Sequence, residues 1–151
     1  MAHRPGGTRG KSTLIAMTAI AAPVALAFET LLRYLLFPAE LEILRNELRP
    51  VLTVVAWILC VVCAIAGTLG ILLQDRLAAR AVERLPGRAK MPAEVERARV
   101  GAFLLAASVP QVPAILATFS FMFGASFLPV AVAIVVVTSA VLVQAARVRA
   151  P

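Results

Sequence analysis

Four apolar runs, each long enough to cross a lipid bilayer, occupy most of the chain and decide what it can fold into. They cover residues 14–37, 51–73, 100–123 and 127–143. A membrane-crossing helix needs about 20 predominantly apolar residues. Backbone groups in lipid must bond within the protein, and runs of this length without strand alternation do so as helices. Of the 151 residues, 61% are hydrophobic and 15% charged, against about half and a quarter in soluble domains. A soluble globular enzyme, a disordered chain and a disulfide scaffold are thereby excluded. The expected fold is all-α: a polytopic four-transmembrane-helix bundle over residues 14–145, between a basic tail (1–13) and a short second tail (146–151).

The formal charge of +7 would suggest a nucleic-acid partner in a soluble protein. Here the basic residues flank apolar runs and no basic stripe alternates with aromatics, so nucleic acid is not an expected partner. The charges are read instead as orienting the chain and contacting anionic headgroups. Lys and Arg number three in the first tail, seven between Gln74 and Arg99 and two in the last tail. With four crossings these share one side, against only Arg45 and Arg49 on the other. Both termini are therefore expected in the cytoplasm. A bias toward Arg over Lys, with 29 Ala, hints at a GC-rich bacterial genome and hence a bacterial inner membrane. One competing reading remains for the first run: a basic start, an apolar stretch and Ala25-Leu26-Ala27 have the outline of a cleaved signal peptide over residues 1–27. The apolar run continues past that point to Phe37, which favours a retained span.

Two connections have their own pattern. Residues 38–49 read as a short outer helix lying in the interface. Pro38 suits a first helical position, Glu40 and Glu42 suit the first turn, and Leu41, Leu44 and Leu48 share a face. Residues 74–85 extend the second helix into the cytoplasm, with Arg76, Arg80 and Arg84 every four residues as a lipid-facing basic row. Pro86-Gly87 ends that arm, and Pro92, with Glu94 and Glu96 behind it, opens the next. The result is a basic cytoplasmic helical hairpin.

Small residues mark packing seams. In the second span Ala56, Cys60, Cys63, Gly67, Gly70 and then Gln74 are spaced 4, 3, 4, 3, 4. In the third, Ala106, Pro110, Pro113, Ala117, Ser120 and Gly124 repeat that spacing. Small residues let two helix backbones approach closely in lipid, so these helices are expected to pack against each other.

Polar residues at membrane depth form the candidate site. Glu29 and Arg33 lie one turn apart in the first span and can pair. Ionisable groups there cost about 2.5–3.5 kcal/mol each on the insertion scale, so they face an interior or a partner. Gln111, between Pro110 and Pro113, sits where two missing donors free carbonyls near Ala106 and Val109. Interrupted helices at this depth also occur in transporter sites.

Cys60-Val-Val-Cys63 resembles the C-x-x-C of four-helix membrane oxidoreductases that make disulfides. That family needs a pair open to the outer compartment and a second cysteine pair as relay. Here Cys60 lies about 15 Å along the helix from Val51, no second pair exists, and both cysteines fit the seam. Glu29 resembles the first-helix glutamate of the small multidrug resistance family of four-helix dimers. This chain differs in its length, basic central hairpin and strong orientation bias, so that likeness stays an analogy. No catalytic, cofactor or metal site can be assembled: the one histidine, His3, is in a tail, and no Walker loop, G-x-S-x-G or dinucleotide fingerprint appears. The leading expectation is a non-enzymatic helix-packing subunit of a homo-oligomer or larger membrane complex. The alternative is a small transporter or channel built on Glu29, Arg33 and Gln111.

Overall fold

The computed structural model describes residues 6–36, 38, 40–85 and 92–149, with side chains throughout except at 6–12, 36, 40 and 149. Four helices follow one another: α1 Gly6–Leu36, α2 Glu40–Glu83, α3 Pro92–Met122 and α4 Phe127–Arg149. All four are long and apolar enough to cross a membrane. The all-α, four-helix architecture is as the apolar runs required. Residues 1–5, the stretch 86–91 with the turn expected at Pro86-Gly87, and residues 150–151 lie outside the described residues.

Two boundaries differ from expectation. Residues 6–13, read as tail, are already helical in α1. The short outer helix does not exist as a separate element: residues 40–49 run straight into the second span. Pro50, between the expected outer helix and the second run, removes only one donor, the one that would serve Asn46, and membrane helices tolerate such a loss. Good helix formers precede it, and the apolar run that follows must bond its own backbone in lipid, which carries α2 across it. With 44 residues, α2 is about 66 Å long. It therefore outreaches a hydrocarbon core of about 30 Å at both ends.

The interior is rich in small residues, and most of the large apolar ones are on the exterior. Ala56, Cys63, Ala106, Ala107, Ala117 and Ala133 are at or near zero exposure, whereas Met17, Phe28, Ile58, Val61, Leu105 and Leu128 are exposed. In water that distribution would be an extended apolar surface. In lipid it is the expected arrangement, because helices there gain nothing by hiding Leu from solvent and associate through close backbone packing. The hydropathy of the four helices and this inside-out distribution together support an integral membrane bundle.

Helix α2 packs most extensively on α3 and also on α4, while α1 rests against α3 and α4. Every residue of the two 4-3-4-3-4 rows, Gln74 and Gly124 included, is buried. The glycines show why. A Cβ on Gly70 would stand 2.8 Å from the Ala106 carbonyl oxygen, and one on Gly67 would stand 3.0 Å from Ala140 Cβ. The α2 row thus enters the groove between α3 and α4. Pro110 has no N–H to offer Ala106, and Gly70 brings the α2 backbone against that carbonyl.

The α3–α4 turn is tight and docked. Gly124 has φ +127°. The Gly124 amide donates to the Phe121 carbonyl at 3.1 Å and the Ala125 amide to the Ser120 carbonyl at 2.9 Å, the bond pair of a Schellman cap. The Ser126 amide donates to Thr53 Oγ1 of α2 at 3.0 Å, and Phe121 meets Phe127 edge-on at 5.7 Å.

Candidate functional site

The polar residues at membrane depth sort onto two faces of α3. Its 106/110/113/117/120 face meets α2; its 111/114/118 face meets α1. On the second face, Gln111 Nε2 donates to the Thr18 carbonyl of α1 at 3.2 Å. Pro23 lies inside α1, one turn on, and leaves the neighbouring Ala19 carbonyl without its helical donor. Three alanines of α1 (Ala21, Ala22, Ala25) then face Gln111 and Thr118 across a crevice of about 230 Å³, closed from behind by Ile134 of α4. The lining is otherwise apolar. The crevice opens because the α1 side offers only methyl groups there.

Glu29 lies about one turn beyond Ala25. It is 9% exposed. It faces the Thr118 hydroxyl and the Met122 backbone across the α1/α3 interface, with Arg33 as a nearby charge. Its Oε1 is enclosed without a hydrogen-bond partner. The pairing expected for Glu29 and Arg33 is not made: no ion pair of 4 Å or less joins them. Arg33 instead places its guanidinium carbon 4.6 Å from the centroid of the Phe121 ring. An aromatic face attracts a guanidinium, and this one stands on the neighbouring helix in line with the α1 turn that carries Arg33.

The five residues grouped at the sequence level therefore occupy three places. Gln111 lines the α1/α3 crevice, and Glu29 lies in the same interface, one turn beyond Ala25 and facing Thr118. Pro110 and Pro113 are buried, and Pro110 Cδ would lie 3.6 Å from a Cβ on Gly70, on the α2 side. Arg33 belongs to the end of the bundle that holds the α3–α4 turn. Cys60 and Cys63 are buried free thiols within the α2 row. Arg76, Arg80 and Arg84 are exposed; Arg80 and Arg84 border an open crevice against Gly101 and Leu105 of α3.

Sequence reasoning missed two features. Pro23 was visible as the one proline of the first run, and it lies inside α1 next to the alanines that line the crevice. Gln144 was visible as the amide directly after the fourth run. It is fully buried, its backbone carbonyl accepts from Gln74 Nε2 at 3.1 Å, and both atoms of its own amide are without hydrogen-bond partners. Beside it Arg147 and Asp75 pair at 3.2 Å, both substantially exposed.

A carboxyl group held in a mostly apolar interface, with one oxygen unmet and a hydroxyl beside it, can take up and release a proton or meet a cationic group arriving along the crevice. Gln111 can offer a donor or an acceptor two turns away. Comparison with protein-family models, curated proteins and solved structures finds no match for this chain.

Proposed function

We propose that this is a non-enzymatic, four-span protein of a bacterial inner membrane, with both termini cytoplasmic, that moves a proton or a small lipophilic cation past Glu29 along the α1/α3 crevice. One observation carries the reading: the Glu29 carboxyl is enclosed at membrane depth with Oε1 unmet. A polar atom in that condition costs several kcal/mol in lipid. The Thr118 hydroxyl, the Met122 backbone and the Arg33 charge act on the carboxyl, but Arg33 is turned to Phe121 and makes no ion pair that would meet Oε1. The small-residue rows do not favour an oligomerisation role, since they are consumed inside the monomer by α2, α3 and α4.

A second reading, a packing subunit of a homo-oligomer or larger membrane complex, draws support from α1. It is the least enclosed of the four helices and presents Met17, Val24, Phe28 and Leu31 outward. Flux in proteoliposomes separates the two. Transport predicts uptake of a lipophilic cation driven by a proton gradient in the wild type, abolished in Glu29→Gln with the bundle still folded. A packing subunit predicts no flux in either form and a change in stability or partner association in the variant. Absence of wild-type flux for protons and lipophilic cations overturns the transport reading.

A further inference from the structure

We propose that the turn end of the bundle holds the phosphate of an anionic phospholipid between Arg33, Arg45 and Arg49. This does not rest on the transport reading, and it concerns the end of the molecule opposite the basic hairpin. A pocket of about 310 Å³ opens there between the end of α1, the start of α2 and the α3–α4 turn. Among the described residues, three guanidinium groups and one carboxylate, Glu42, line it, so that lining has a formal charge of +2. Arg45 and Arg49 are one helical turn apart and share a face. Arg33 comes from a different helix and is held against the Phe121 ring. Arg33 and Arg45 are near enough for their like charges to act on each other.

Arg45 is the informative member. It is only 7% exposed, whereas an arginine at a membrane boundary normally extends to the headgroups. Its backbone is fixed, because Gly124 packs directly on the Arg45 carbonyl. The first turn of α4 begins at Phe127 on the same rim and adds the positive end of a 23-residue helix. Arginine forks bind phosphate oxygens two at a time, and a group with one net negative charge offsets half of the pocket's excess.

The surroundings point to a lipid as the source of that phosphate. Phe127, which lines the pocket, Leu128 next to it in α4, and Leu31 and Tyr34 on either side of Arg33 in α1 are large and exposed. They give acyl chains a surface directly below a headgroup seated among the arginines. A free anion would make no use of that apolar rim.

The test is lipid retention by the detergent-purified full chain, read by native mass spectrometry. The probes are phosphatidylglycerol, phosphatidylcholine and inorganic phosphate. The expected result is one phosphatidylglycerol retained in preference to phosphatidylcholine and not displaced by equimolar inorganic phosphate. Arg33→Gln with Arg49→Gln should weaken that retention about thirtyfold, at about one surface-arginine increment each. Glu42→Gln, which removes no arginine, should strengthen it about fivefold. Arg76→Gln with Arg80→Gln and Arg84→Gln should leave that one retained lipid in place. The proposal is overturned if phosphatidylcholine is held as tightly, if phosphate displaces the lipid, if Glu42→Gln has no effect, or if the Arg76 triple variant loses the lipid instead.

Discussion

Gly70→Ala and Gly101→Ala are the same chemical change in two helix interiors, and the bundle predicts opposite signs for them. Alanine is favoured over glycine in a helix by about 0.8–1.0 kcal/mol. At Gly101 an added Cβ meets nothing within 4 Å, so that gain should appear as stability. At Gly70 it would stand 2.8 Å from the Ala106 carbonyl oxygen and 2.7 Å from Gln144 Nε2. The glutamine amide can turn aside. The carbonyl belongs to the α3 backbone, and relieving that contact means separating two helices. Overpacking of this kind costs about 1–3 kcal/mol, which offsets the propensity gain and leaves Gly70→Ala less stable by up to about 2 kcal/mol. Gly67→Ala, 3.0 Å from the Ala140 methyl, belongs between them, near zero. Reversible unfolding in mixed micelles, followed by far-ultraviolet circular dichroism, resolves differences of this size. Equal stabilisation by Gly70→Ala and Gly101→Ala would refute the close approach of α2 to α3.

Gly124→Ala should be among the most destabilising glycine substitutions, by about 2–4 kcal/mol. Positive φ disfavours any Cβ, and this one would lie 2.6 Å from the Arg45 carbonyl oxygen; unfolding in the same micelles checks it, and a neutral effect contradicts the docked turn. Gln144→Met should raise stability by about 1 kcal/mol, since it replaces a buried amide with two unmet atoms by an apolar chain of similar length; a loss of stability instead means that the amide has a partner that matters.

Much of this architecture is legible from residue order because lipid removes alternatives. A run of about 20 apolar residues has one solution, the helix. A row of small residues spaced 4-3-4-3-4 has one use, close packing, and Ala56 through Gln74 and Ala106 through Gly124 are all buried. What was not legible depends on which helices become neighbours. Pro50 reads as a boundary, but whether a proline ends a helix or is passed through depends on the segments it joins. Arg33 and Glu29, one turn apart, read as a pair. The Phe121 ring that takes Arg33 is 88 positions away and reaches it only through the α1/α3 contact. The arginine pocket draws on three stretches of chain for the same reason. Gln144 is placed against Gln74 only by the packing of α4 on α2.

The membrane bundle with its two unlike ends is tested most directly by single cysteines introduced at Glu47 and Arg97, both exposed, in a Cys60→Ser, Cys63→Ser background. Four crossings with cytoplasmic termini predict that a membrane-impermeant maleimide labels position 47 in intact spheroplasts and position 97 only after lysis. Labelling of both positions from outside, or release of the chain into alkaline carbonate without detergent, would contradict it.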